Sequence, residues 1–254
     1  MTQNEKTHIS YSEIKTWLEC PRKHKLNYID KIKKFQGNEY TAFGTALHEV
    51  CEKQCNNEEI EPFSFFEEQF AKQLKSLKSF NEKMAIEMNG QSRAIIPLIM
   101  PKLKEQFPEY EVAATELALY ETIEDNIFFK GYIDLVLKLP NEKYIILDWK
   151  TCSWGWDSRK KADKMVTYQL TLYKNFFCQA AGIDPKNVET YFALLKRTAK
   201  KDNVEIFRVT SGPKKTGNAL KLMNGALYNI KKKNYIKNRL SCKYCEYYKT
   251  EHCT

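Results

Sequence analysis

No stretch of this chain approaches the roughly 20 consecutive apolar residues that a membrane-spanning helix needs. The opening residues, Met1 to Lys6, are polar and contain nothing like the apolar segment of a secretory signal. We therefore expect no membrane association and a cytoplasmic location, where thiols stay reduced. Internal repeats, low-complexity tracts and Gly/Ser linkers are also missing, which argues against solenoids and tethered modules. No G-x-x-x-x-G-K-(S/T) element occurs, so there is no sign of a nucleotide-driven motor. No segment reads as a helix built to recognise a base sequence.

What is present is a globular composition with a basic excess. Of 254 residues, 43% are hydrophobic, enough to build a core rather than a disordered chain. Lys and Arg number 41 against 32 Asp and Glu, a net charge of +9. A polyanion such as nucleic acid is the natural partner, although a membrane surface would attract the same charge. Aromatics are plentiful, with 15 Tyr, 14 Phe and 4 Trp. Eight cysteines in a reducing compartment call for a role other than disulfides.

Periodicity predicts helices over Tyr11 to Glu19, from near Gly44, over Phe63 to Asn89, Ser92 to Gln106, Ala162 to Ala181 and Lys214 to Lys232. Ser10 and Glu13 have capping-box spacing, and Pro21 marks a break or a second helix start. A Lys-rich stretch, Asp30 to Lys34, leads to the helix near Gly44. Strands are expected over Tyr110 to Tyr120, Ile127 to Leu139, Lys143 to Lys150, Val188 to Lys196 and Val204 to Thr210. The order implies one α/β domain with a central mixed sheet. We expect a helical part over about 1–108, a sheet core over about 109–212, and a C-terminal helix and tail over about 213–254.

The strongest local signal is the hairpin joined by Pro140-Asn141-Glu142. With Leu139 opposite Lys143, one face carries Ile133, Leu135, Leu137, Ile145, Leu147 and Trp149. The other carries Tyr132, Asp134, Val136, Tyr144, Ile146, Asp148 and Lys150. That register sets Asp134 opposite Asp148, and like charges about 5 Å apart are destabilising unless something balances them. Either the face is solvated and Lys150 neutralises one aspartate, or the carboxylates hold a hard cation such as Mg²⁺ or Mn²⁺. The flanking apolar and aromatic residues favour a partly buried face.

Gly131-Tyr132-Ile133-Asp134 followed by Ile146-Leu147-Asp148-Trp149-Lys150 resembles the G-x-(I/V)-D…D-x-K core of RecB-like PD-(D/E)xK nucleases. Phe43-Gly44-Thr45-Ala46-Leu47-His48 resembles the family's G-x-x-x-H helix. Gln169-x-x-x-Tyr173 resembles its Q-x-x-x-Y element, and Ser10 through Arg22 resembles its opening. The resemblance implies a three-layer α/β/α, restriction-endonuclease-like core and hydrolysis of DNA. It implies that Asp134, Asp148 and His48 bind Mg²⁺ or Mn²⁺; Glu116, on the preceding strand, is equally a further carboxylate ligand or an exposed strand residue. Lys150 would orient the attacking water and stabilise charge on the phosphate. Gln169 and Tyr173 would contact nucleic acid or hold the lysine; the alternative for Tyr173 is an amphipathic core residue.

Cys242-x-x-Cys245 with Cys253 leaves a four-ligand centre one short, and Cys20 can supply the fourth thiolate. This pattern resembles the AddB-type and CRISPR-associated relatives, whose termini are joined by a [4Fe–4S] cluster. Here seven residues separate the last two cysteines, where many relatives have five. Zinc, with His252 replacing one cysteine, is the alternative from spacing alone. Cys51, Cys55, Cys152 and Cys178 read as core residues. Lys231-Lys232-Lys233 with Tyr235, Tyr244, Tyr247 and Tyr248 suits phosphate contact and base stacking on a single strand. Lys196-Arg197, Lys200-Lys201 and Lys214-Lys215 add positive surface. The expected activity is an exonuclease on DNA ends or single strands in recombination, repair or phage DNA metabolism. An endonuclease with the same site and a non-catalytic DNA-binding subunit are the rival readings. A homo-oligomer or a recombination-complex partner stays open.

Overall fold

The computed structural model describes residues 7–32, 36–124 and 126–253. Met1 to Lys6 and, within the Lys-rich stretch, Lys33 and Lys34 lie outside the described residues. The chain divides into two compact units. The larger comprises Gly37–Ala118 and Tyr132–Ser211; the smaller comprises Met1–Gln36, Leu119–Gly131 and Gly212–Thr254.

Three helices open the larger unit: α3 (Glu39–Cys55), α4 (Pro62–Lys75) and α5 (Glu82–Gln106). Each starts on a side-chain cap. Asn38 and Thr41 form a reciprocal capping box, Glu61 accepts from the Phe63 and Ser64 N–H groups, and Asn81 accepts from Met84 N–H. The helix expected from near Gly44 thus starts five residues earlier. The helix expected to run to Asn89 instead stops at Lys75, because Asn81 restarts it. It then continues through Gly90 to Gln106, where a break was expected. Pro97 and Pro101 sit inside α5 on its exposed side, while Ile95, Ile96, Ile99 and Leu103 keep the buried stripe unbroken.

The sheet of this unit holds β3 (Ile127–Leu139), β4 (Lys143–Cys152), β5 (Val188–Lys196) and β6 (Val204–Val209), in that order. The β3–β4 and β5–β6 pairs are antiparallel and β4–β5 is parallel, so the sheet is mixed. The hairpin register is the expected one, Leu139 facing Lys143 through to Leu135 facing Leu147. Odd-numbered residues Leu135, Leu137, Ile145, Leu147 and Trp149 join α3, α4 and α5 in the core. On the other face lies α7 (Lys164–Ala181), preceded by the short α6 (Ser158–Ala162). The expected helix from Ala162 is therefore two, divided where Asp163 caps α7 through Met165 N–H. β5 is buried along most of its length, as a strand covered on both faces must be.

In the smaller unit, β1 (His8–Ser10) runs parallel to the start of β3, His8 beside Phe128. Ser10 caps α1 (Tyr11–Glu19) by accepting from Glu13 N–H. The Glu13 carboxylate, expected to complete a capping box, meets buried His24 Nε2 at 2.6 Å. Pro21 opens α2 (Pro21–His24), which passes into a π-helical turn, Lys25–Ile29. The strand β2 (Glu111–Glu124) pairs with β3, and α8 (Pro213–Lys231) precedes the cysteine-bearing tail. Among the described residues, no helix is long and apolar enough to cross a membrane.

Candidate metal and nuclease centre

The candidate ligand carboxylates Asp134, Asp148 and Glu116 all fall in the larger unit. β3 and β4 deliver Asp134 and Asp148 to one face, and there the ladder opens: Trp149 N–H donates to the Asp134 carboxylate at 2.8 Å. His48, on α3, brings Nδ1 to 3.6 Å from Asp134 Oδ2. The approach of α3 to β4 depends on Gly44, where an added Cβ would lie 3.2 Å from Thr151 Oγ1. Glu116 reaches the same place by a backbone irregularity. Its φ is +45°, a left-handed value that costs a non-glycine residue on the order of 1–3 kcal/mol. Burial along β2 changes parity at this point, as at a β-bulge. The ligand atoms of His48, Glu116 and Asp134 all lie within 4.8 Å of one another.

Asp148 is more deeply buried. It is 1% exposed, and it falls outside that three-residue set among the described residues. Lys150 Nζ makes an ion contact with Asp148 Oδ2, at an angle outside hydrogen-bond geometry. Gln169 Nε2 donates to Asp148 Oδ1 at 2.9 Å and to Tyr173 Oη at 3.2 Å. Gln169 and Tyr173 are one turn apart on α7, and Tyr173 is buried. Gln169 thus bridges Asp148 and Tyr173.

The electrostatics fit a cation. Burial raises the Asp134 carboxyl well above its ordinary range, and the Asp148 charge adds to this; Lys150 and the Trp149 N–H only oppose it. Glu116 is raised by burial and by Glu52 and Asp148. Burial pushes the His48 imidazole down to about 4, so it is neutral near pH 7 with a lone pair to give. Two carboxylates and a neutral imidazole, short of positive charge, make a donor set suited to a hard divalent cation.

The other site candidates lie in the smaller unit. Cys20, Cys242, Cys245 and Cys253 are all reduced and line one cavity of about 370 Å³. Asn238 N–H donates to Cys20 Sγ at 3.3 Å, and burial raises the Cys245 thiol. His252 is half-buried, with its carbonyl accepting from Arg22. Of the tail tyrosines, Tyr244 and Tyr248 are exposed, but Tyr247 is not available for stacking. It is fully buried, and its hydroxyl lies between the Ile32 carbonyl and the Asn27 side-chain oxygen, with one hydrogen to give them. It borders the same cavity as the cysteines, which spacing alone does not reveal. Cys51, Cys55 and Cys178 are buried as expected, while Cys152 is half-buried at the end of β4.

The chain matches the PD-(D/E)XK nuclease superfamily over residues 8–250. Among solved structures it is similar to a candidate exonuclease from Eubacterium rectale, with 15% identity and a TM-score of 0.61. That alignment covers 97% of this chain and 91% of the other, and at this identity it speaks for the fold. The protein SSO0001 is similar more loosely, with 14% identity, a TM-score of 0.44, and 96% and 85% of the two chains covered. No curated protein sequence matches the chain.

Proposed function

The chain belongs to the PD-(D/E)XK nuclease superfamily, and on that footing we propose a metal-dependent DNA exonuclease of the RecB-like kind, acting on single strands or DNA ends in recombination, repair or phage DNA metabolism. The observation that carries this reading is the convergence of His48, Glu116 and Asp134 beside the Asp148–Lys150 pair. His48, Glu116 and Asp134 would hold Mg²⁺ or Mn²⁺, with Asp148 completing the set from beside it. A bound divalent cation polarises a phosphoryl oxygen and makes its water a nucleophile near neutral pH.

The rest of the chemistry falls to side chains. Lys150, 31% exposed, places an ammonium where it can meet the scissile phosphate, stabilise the charge that develops and orient the attacking water. Asp148 fixes the Lys150 head, and Gln169 with Tyr173 fixes Asp148. In this reading Gln169 and Tyr173 act chiefly by positioning. Neutral His48 donates no proton to the leaving group and serves as a ligand.

A second part of the proposal concerns Cys20, Cys242, Cys245 and Cys253, which we assign to a [4Fe–4S] cluster. Among the described residues no three of these thiols lie within 4.8 Å of one another. A tetrahedral zinc with Zn–S near 2.3 Å needs sulfurs roughly 3.8 Å apart. A cubane takes each thiolate on a different iron and so tolerates wider spacing. The N–H of Asn238 on Cys20 Sγ is the kind of contact that tunes such sulfurs.

Cleavage of end-labelled single- and double-stranded DNA with Mg²⁺ or Mn²⁺, comparing wild type with Asp148→Ala, tests the catalytic reading. Wild type should cut and the variant should not, with a product ladder shortening from one end. A scatter of internal products would make it an endonuclease. DNA binding without cleavage by either protein would make it a binding subunit.

A further inference from the structure

β4 does not end at the catalytic lysine. Two residues past its last position stands Trp154, 78% exposed. Gly155 follows with φ +122°, a left-handed value that favours glycine, and a Cβ there would meet Lys196 at 3.2 Å. Beside this loop, Arg197 leaves the end of β5. Arg197 N–H donates to Cys152 O at 2.9 Å and Thr198 N–H to Ser153 O at 2.8 Å, so the two chain segments are tied together. The Arg197 guanidinium is fixed at both ends of its fork, donating to Gln91 Oε1 at 3.0 Å and to Ser153 Oγ at 3.2 Å. It lies 4.9 Å over the ring of Tyr40, which is 49% exposed. Tyr40, Trp154, Arg197 and Lys83 border one cavity of about 470 Å³.

A single exposed aromatic is ordinary on a protein surface. Two of them facing one cavity, with a guanidinium already held over one ring, are a stacking surface. In the lining, Lys83 and Arg197 outweigh the lone carboxylate Glu87, which suits an anionic strand. We propose that this cavity takes a base of single-stranded DNA, stacked on Trp154 and the Tyr40–Arg197 shelf, with Lys83 and Arg197 on the backbone phosphates. The proposal rests on the nuclease reading of the carboxylate centre. Only an unstacked base offers a free face, so the surface selects single strands over duplex.

The geometry also limits where the base lies. Trp154 is four residues past Lys150, at most about 14 Å of extended chain. Tyr40 is eight residues before His48 on α3, about 12 Å along the axis. With side-chain reach added, the stacked base lies within a few nucleotides of the bond that is cut.

The test is equilibrium binding of labelled single-stranded oligonucleotides to the full chain in a metal chelator, with a scan in which each base in turn is made abasic. Stacking losses on alanine substitution correspond to roughly 5- to 100-fold in affinity. Trp154→Ala should weaken binding by such a factor and Trp154→Phe should restore most of it. Tyr120→Ala, an exposed aromatic in the smaller unit, should change nothing. In wild type one abasic position should weaken binding, and Trp154→Ala should be insensitive to that position. Equal affinity of wild type and Trp154→Ala, with wild type still cutting DNA, overturns the stacking surface and leaves the nuclease standing. Failure of wild type to bind or cut DNA overturns both.

Discussion

Replacing Asp134 by asparagine removes a carboxyl that the fold buries at a cost. Its side chain is 13% exposed, and its carboxyl is raised by burial first and by Asp148 second. A carboxyl whose folded pKa lies above its unfolded value of about 3.9 binds a proton on folding. Below that pH both states are protonated and nothing is lost. As pH rises from there through the folded value, stability falls, and above it the full cost persists. At pH 7, well above the unfolded value, Asp134 therefore destabilises the cation-free protein. Asparagine keeps the volume and an oxygen to accept from Trp149 N–H. The expected gain in a chelator at pH 7 is about 1 kcal/mol, the usual size for relieving an active-site strain. In a chain of this length that raises Tm by roughly 2–4 °C. The stability curve should also flatten in the acid range where wild type gains. The same variant should lose the Tm increase that Mn²⁺ gives wild type, and should cut DNA at least about 100-fold more slowly. Thermal denaturation with and without Mn²⁺ from pH 4 to 8 reads all of this. A variant less stable than wild type in chelator, yet still stabilised by Mn²⁺, would refute the reasoning.

Two further outcomes follow from packing and from the thiols. Gly44→Ala presses a methyl against Thr151 Oγ1; it should cost about 1–3 kcal/mol and displace His48 one turn on, lowering cleavage. Adding Thr151→Ala should recover most of both losses, and a double-mutant cycle that came out additive would show that the two do not touch. Cys245→Ser should give a colourless, poorly folded protein low in iron and sulfide by chemical analysis. Normal iron content and a normal Tm in that variant would remove Cys245 from the cluster.

The hairpin was legible because its information is local. Pro140-Asn141-Glu142 sets the loop, and the alternation of apolar residues allows only one register without burying the wrong face. That register put Asp134, Asp148 and Lys150 together before any tertiary contact was known. Val188–Lys196 and Tyr11–Glu19 matched their observed bounds for the same reason: a continuous apolar run for one, a serine cap for the other. Helix bounds around α4 and α5 were less legible, since the caps Glu61 and Asn81 are ordinary surface residues until their side chains meet a free N–H.

Other features needed the folded chain. Glu116 joins His48 and Asp134 because β2 takes a left-handed step, and nothing in Thr115-Glu116-Leu117 announces one. Gln169 holds Asp148 across 21 residues of sequence, and Tyr247 packs inward while its neighbours Tyr244 and Tyr248 stay exposed. Only the surface it borders with Tyr40 and Arg197 makes Trp154 a candidate for stacking. Sequence determined what periodicity and turn chemistry encode within a few residues. Tertiary structure decided which distant side chains share one desolvated space, because burial and charge balance are properties of neighbours in space rather than along the chain.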